Sequence, residues 1–284
     1  MTRWLGLLPV ALIASAAQAT FHPIQDRPYR YDSVETRSAD GVERRFQSKR
    51  TVVFHQTDRG FTAIVTLVMV DHQNAAGVAQ MFATATESLL NRPLRFALGP
   101  DGSIEGVEDA DAAIAQIAMA IERMAIGTRR PGMSTALAAP LRAMPPERKV
   151  AMLTSIVSPL LAGHLTDRLP GKVAVTLPSR PPLAPGMALS GTETVRHAAN
   201  GQVTIETEAT GNVDASSLAD SPGKFAAGPV AAPSVTTHST RRFDSTSGLL
   251  VESTEASDVI ASDGRSLHRT RTATVITVTP PAHD

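Results

Sequence analysis

Between residues 29 and 70 polar and apolar positions follow the two-residue period of β-strands, interrupted by turn signals. The pattern predicts three strands, about Tyr29–Arg37, Glu43–Gln56 and Phe61–Val70. Asp40-Gly41 supplies the first turn and Asp58-Arg59-Gly60 the second. Asp-Gly between β-rich runs marks a hairpin, because a primed turn needs positive φ at both central positions. In the third strand Phe61, Ala63, Val65, Leu67 and Met69 share one face, and Ile64, Val68 and Val70 share the other. Apolar residues on both faces predict a central strand covered on both sides. Glu43, Arg44, Arg45, Lys49 and Arg50 predict a solvated first half for the second strand.

The period then changes. Val78, Met81, Phe82, Ala85 and Leu89 recur at three- and four-residue steps and predict a helix over about Ala75–Leu90. A short strand, Leu94–Leu98, precedes a Gly99-Pro100-Asp101-Gly102 turn. Ile114, Ile117, Ile121 and Met124 form one stripe of a helix over about Asp109–Ile126, with Glu108, Asp109 and Asp111 at its favourable N-terminal end. A further helix is predicted over about Pro146–Ala162, kinked near Pro159, with Leu153 and Val157 on its apolar face. A short helix is also expected around Ser134–Ala143.

Strands return after the proline-rich stretch Pro178–Pro185. Ala188–His197 and Gln202–Thr210 flank Asn200-Gly201, read as a primed turn. After an Ala/Pro/Gly/Ser-rich loop, Gly211–Ser234, a last meander is predicted over about Thr236–Asp244, Leu249–Ile260 and Arg265–Thr279. Its turns fall at Ser247-Gly248 and Asp263-Gly264. Two antiparallel meanders bracketing apolar helices predict an α+β fold of eight or nine strands. The expected form is a large curved antiparallel β-sheet with helices packed on its concave face. One domain over residues 20–284 is expected, with strands in 29–70, a helical insert over 75–163 and strands in 188–279.

The first nineteen residues do not belong to that pattern. Met1-Thr2-Arg3 puts one positive charge before the apolar run Trp4–Ala14, and Ala17-Gln18-Ala19 offers an A-x-A cleavage pattern. This is the layout of a secretory signal peptide cleaved after Ala19. The run is too short to span a bilayer and contains Pro9. Four lysines among 27 basic residues, with abundant alanine, suggest a bacterial protein and hence a periplasmic one. Composition then narrows the chemistry. Cys 0 excludes disulfides, thiol nucleophiles and a lipid-modified cysteine. Basic and acidic residues balance at 27 each, so no global field draws nucleic acid or anionic lipid. No later run of the sequence suits a transmembrane helix.

Motifs for chemistry are few. The eight histidines are scattered, and His72, beside Asp71, would need a distant partner such as His55 to hold a metal. The acidic stretch Asp101–Asp111 lacks the alternation of a calcium loop and reads as a turn followed by a helix start. Ser221-Pro-Gly-Lys224 matches S-x-x-K, but Pro222-Gly223 forbids the helical turn that would join the pair. No nucleophile elbow, phosphate loop or dinucleotide fingerprint occurs, so neither catalytic residues nor a cofactor or metal are expected. Arg241, Arg242, Arg265, Arg269 and Arg271 face Glu252, Glu255 and Asp258 on a neighbouring strand, which predicts cross-strand ion pairs.

The leader, the sheet split around apolar helices, and closing strands of the form Phe243-Asp-Ser-Thr-Ser-Gly-Leu249-Leu250 resemble the periplasmic lipoprotein-carrier-like proteins. The likeness is in element order over most of the chain. It implies a half-barrel with a helical lid around a cavity for acyl chains. The leading expectation is therefore an exported, non-catalytic binding protein for an apolar ligand, lipid or lipoprotein acyl chain. Ile114, Ile117, Ile121, Met124, Leu153 and Val157 would line its ligand space. A structural or interaction protein of the cell envelope with a filled core is the alternative, and a hydrolase with a dispersed site the third reading. Cleavage after Ala19 leaves a protein that begins Thr20-Phe21 and has no tryptophan, because Trp4 is the only one. Intact-mass measurement on the protein exported by a bacterial host should return residues 20–284, and a retained leader would overturn the periplasmic assignment.

Overall fold

The structure, a computed structural model, describes residues 21–39, 41–75, 78–127, 138–161, 167–178, 188–212, 234–262 and 267–282. The expected leader, the centre of the Gly211–Ser234 loop, Ser221–Lys224 and the Asp263-Gly264 turn lie outside the described residues. Eleven strands form one antiparallel sheet. They are β1 (Tyr29–Ala39), β2 (Val42–Thr57), β3 (Gly60–Gln73), β4 (Pro93–Leu98), β5 (Ile104–Val107) and β6 (Gly171–Pro178). The rest are β7 (Ala188–His197), β8 (Gln202–Asn212), β9 (Ser234–Asp244), β10 (Leu249–Ser262) and β11 (Leu267–Thr279). Helix α1 (Val78–Glu87) joins β3 to β4, while α2 (Ala110–Gly127) and α3 (Pro146–Thr154) lie between β5 and β6. Residues 138–142 are also helical.

The spatial order is β5-β4-β3-β2-β1-β11-β10-β9-β8-β7-β6. Two meanders thus meet where the first strand pairs with the last, and the sheet stays open with β5 and β6 at its edges. Two strands exceed the expected count. β5 is four residues long and β6 is largely exposed, so neither carries a half-buried alternation that sequence could reveal.

Cross-strand partners share a face, and one face of the sheet carries the core. Tyr29, Tyr31, Val52, Phe54, Phe61, Val65, Leu94, Phe96, Val203, Ile205, Phe243, Leu250 and Val278 are buried there. Ile114, Ile117 and Ile121 of α2, Leu153 of α3, and Val157, Leu160 and Leu161 beyond it join the same apolar cluster. The backbone N–H of Leu250 donates to the carbonyl of Leu160 at 3.1 Å, tying the segment after α3 directly to β10. The N-terminal arm plugs the apolar end. Phe21 packs edge-on against Phe54 and Phe61, with ring centroids 5.6 and 5.2 Å away. Gly102, at φ +81°, leaves room for that ring, since a Cβ there would lie 2.6 Å from Phe21.

Three expectations need correction. β3 is buried on one face only, and Val68 is 44% exposed. The register slips between Lys49↔Met69 and Arg50↔Leu67, making Val68 the extra residue of a β-bulge. Such a bulge inverts the alternation beyond it. Met69 leaves the core face, while Val70 and His72, opposite Ser48 and Phe46, enter it. α3 ends at Thr154 rather than Ala162. Residues 155–161 turn instead, with Leu160 N–H to the Val157 carbonyl at 3.0 Å and Leu161 N–H to the Ser158 carbonyl at 3.2 Å. Pro159 has no N–H for the helical ladder and disfavours the α conformation at Ser158.

The third correction concerns the β7–β8 turn. Gly201 has φ +77°, as the Asn-Gly signal requires. The connection nevertheless spans Ala198 to Gly201, with Gly201 N–H donating to the Ala198 carbonyl at 3.1 Å. Asn200 Oδ1 accepts from Gln202 N–H at 3.2 Å. This is a four-residue loop closed by a left-handed glycine, and not a two-residue primed turn. Gly201→Val places a β-branched side chain at positive φ, with its Cβ 3.3 Å from Ser245 Oγ. The substitution should cost about 1 kcal/mol or more, read as a lower melting temperature.

Candidate functional site

The core between the sheet and the helices is not filled throughout. A cavity of about 240 Å³ lies between β2–β4 and the helices. Val65, Leu67 and Leu94 line it from the sheet, Phe82, Ala85 and Leu89 from α1 and the turn after it, Ile117 from α2, and Met152 and Ile156 from α3 and beyond. The strands supply this apolar wall because every second residue points to the core face. The helices supply theirs through three- and four-residue spacing. Phe82 and Met152 line the cavity while 59% and 36% exposed, so the walls reach the surface.

A second, wider cleft of about 570 Å³ opens beside it. Glu35, Arg37, Arg44, Arg45, Phe46, His72, Gln73, Ala75, Ala79 and Phe82 border the cleft, so Phe46 and Phe82 belong to both spaces. Their rings lie 5.2 Å apart and mark the neck between an apolar chamber and a cationic mouth. Ala39 pairs with Val42, and Arg37 therefore lies directly opposite Arg44. His72 Nε2 lies 3.2 Å from Glu87 Oε1 at the end of α1.

Arg50 stands at the inner end of this series and lines the apolar chamber. Its guanidinium carbon sits 4.9 Å from the centre of the Tyr31 ring, a cation–π arrangement. Burial lowers the Arg50 pKa from its ordinary value, opposed by Tyr31, and burial raises that of Tyr31. Arginine stays cationic through such shifts, because its ordinary value lies far above neutrality. The Nε atoms of Arg44 and Arg50 are buried without a hydrogen-bond partner. The first half of β2 is therefore not simply solvated, as its charge had suggested. Arg44 and Arg50 turn toward the core face, where Tyr31 lies opposite Arg50.

The six residues proposed from sequence are distributed as follows. Ile117 lines the apolar chamber. Ile114, Ile121, Leu153 and Val157 are buried in the core cluster. Met124 is half-buried, and its sulfur accepts from Thr84 Oγ1 at 3.4 Å, joining α2 to α1. The sequence reading passed over Arg37, Arg44, Arg50, Phe46 and Phe82. The signal for the arginines was present: the Asp40-Gly41 turn fixes their register, and alternate positions 44, 46, 48 and 50 share a face.

The remaining candidates have ordinary partners. His55 Nδ1 lies 2.6 Å from Asp26 Oδ1, and Asp101 Oδ1 accepts from the Ser103 backbone at 3.0 Å. Among the described residues no group of three or more His, Asp or Glu side chains is placed to hold a metal ion. No helix among them is long and apolar enough to cross a membrane. No family model matches the chain, and no curated protein matches it.

Arg242, Arg269 and Arg271 form cross-strand pairs with Glu252 and Asp258 as expected, while Arg265 lies outside the described residues. Arg269 Nε donates to both Asp258 oxygens at 2.9 and 3.0 Å, and Arg242 lies 2.7 Å from Glu252. The hydrogen bond from Arg269, aided by the charge of Arg271, holds the Asp258 carboxyl below its usual range. A depressed carboxylate stabilises the fold above its unfolded pKa, and that contribution disappears as pH falls through the folded value. Asp258→Asn should therefore lower the melting temperature slightly near neutral pH. In acid the wild type and the variant should melt together, as parallel thermal scans would register.

Proposed function

We propose that the protein is an exported, non-catalytic binding protein that holds the apolar chain of a lipid or of a lipoprotein acyl group. In this reading the sheet curves around the ligand and the helices close its concave face as a lid. The observation that carries it is the apolar chamber of about 240 Å³ between sheet and helices, with partly exposed Phe82 and Met152 at its walls. Its lining is mostly apolar, with Arg50, Thr86, Arg92 and Ser155 as the polar members, the pattern of a site that takes a hydrocarbon body and a few placed polar contacts. The likeness in element order to the lipoprotein-carrier-like proteins supports the same reading, and the leader gives it a periplasmic address.

A filled-core envelope protein remains the second reading, supported by Ile114 and Leu153, which are 1% and 0% exposed. Two substitutions on the helices separate the readings. Ile114→Ala removes packed atoms from solid core and should cost ~2–5 kcal/mol. Ile117→Phe places its ring in the chamber, so the melting temperature should hardly change. The same variant should bind the neutral fluorophore N-phenyl-1-naphthylamine at least about tenfold more weakly, since its ring takes the ligand's space. Lipid found by mass spectrometry after mild purification would support the carrier. A wild type that carries no lipid and binds no fluorophore, with Ile117→Phe destabilised by overpacking, would leave the filled-core protein standing.

A further inference from the structure

Among the described residues, no ion pair accounts for the arginines of the cationic mouth. Arg37 and Arg44 are directly opposed on neighbouring strands, and like charges so placed destabilise a sheet. Among the described residues, Arg37, Arg44 and Arg45 form no ion pair. Among the described residues that line the cleft the one carboxylate is Glu35, and the nearby Glu87 already meets His72. The buried Nε atoms of Arg44 and Arg50 lack acceptors, and an unmet buried donor costs free energy that an anionic oxygen would recover. These groups follow one strand, with Arg44 at the mouth, Phe46 at the neck and Arg50 at the chamber.

We infer that this mouth binds the anionic head group, a carboxylate or a phosphate, of an amphiphile whose chain occupies the apolar chamber. The inference rests on the binding function proposed above and narrows its ligand from any apolar molecule to an anionic one. Guanidinium groups suit both head groups, since their planar donors match two oxygens at once. Chain length is bounded as well. A methylene takes up about as much space as a water molecule, roughly 30 Å³, so the chamber accepts about eight of them. Medium chains therefore fit whole, and longer ones would extend past Phe82 or displace α1.

The test compares head groups on one chain. Decanoate, decyl phosphate and decan-1-ol compete with N-phenyl-1-naphthylamine near neutral pH at low salt, each below its micelle-forming concentration. Inorganic phosphate is the control without a chain. At least one of the two anionic ligands should displace the fluorophore at about tenfold lower concentration than the alcohol, the size expected of one charge-assisted interaction. The stronger of the two identifies the head group. Combining Arg37→Gln with Arg44→Gln should bring that ratio to about one and leave the affinity for decan-1-ol unchanged. Arg44→Lys, which keeps the charge, should retain part of the preference. The double variant should melt no lower than the wild type, because it relieves like-charge repulsion. Equal displacement by alcohol and both anions in the wild type would overturn the head-group inference while leaving the chamber as a binding site. A melting temperature several degrees lower in the double variant would show the arginines to be structural and overturn it too. Failure of the fluorophore to bind at all would overturn the carrier reading together with it.

Discussion

An open antiparallel sheet has one apolar face to hide, and among the described residues the helices, the turns after α3 and the N-terminal arm pack on part of it. In this chain the helices arise from two insertions, one between β3 and β4 and one between β5 and β6. Their buried residues join Phe54, Phe96, Phe243 and Leu250 in one core. The anchoring contact from Leu250 to Leu160 and the plug formed by Phe21 close that core at one end. Farther along the same face the residues become polar: Ser48, Thr207, Ser239 and Ser253 are buried there. Along β2 the core face passes from Phe54 and Val52 to Arg50, Ser48 and Arg44, and the cavity lies across that transition.

Much of the architecture was legible because the chain announces its periods clearly. The β8 alternation Val203, Ile205, Thr207 and Ala209 is buried as written, and the stripe on α2 meets the core through the same isoleucines that the spacing selects. Failures cluster where a local event overrides a period. The bulge at Val68 turned Met69 away and brought His72 in, and no propensity signals which residue of an apolar run will be skipped. Edge strands β5 and β6 bury too little to show any period. Pro159 was visible in the sequence, but its effect was underrated: it does not bend the helix near its end, which stops at Thr154.

The candidate site shows the same division. Its apolar half follows from helical and strand spacing, and Ile117 could be named from sequence. Its charged half appeared to be an ordinary solvated strand, because charge along one strand says nothing about the strand beside it. Only the pairing of Arg37 with Arg44 turns two surface residues into a local conflict. Sequences that fold well resolve such conflicts, and those they retain tend to mark functional positions. The Tyr31 ring beneath Arg50 is part of the same arrangement, as it receives a charge brought to the edge of the hydrophobic core.

The seam between β1 and β11 has a consequence for how the molecule comes into being. Arg30 lies opposite Thr279 and Ala39 opposite Thr270, so the middle of the sheet is made from residues near opposite ends of the chain. Contacts of such sequence separation form late, since a long loop must close before they return any energy. As the polypeptide emerges from its N-terminal side, β1 can pair with β2 at once, yet its other edge waits for the last strand to appear. Throughout that interval a row of free backbone donors and acceptors is open to any passing strand. Assembly of the sheet therefore ends at its centre and not at its rim, and a chain stopped short of residue 267 would lack the strand that pairs the two half-sheets.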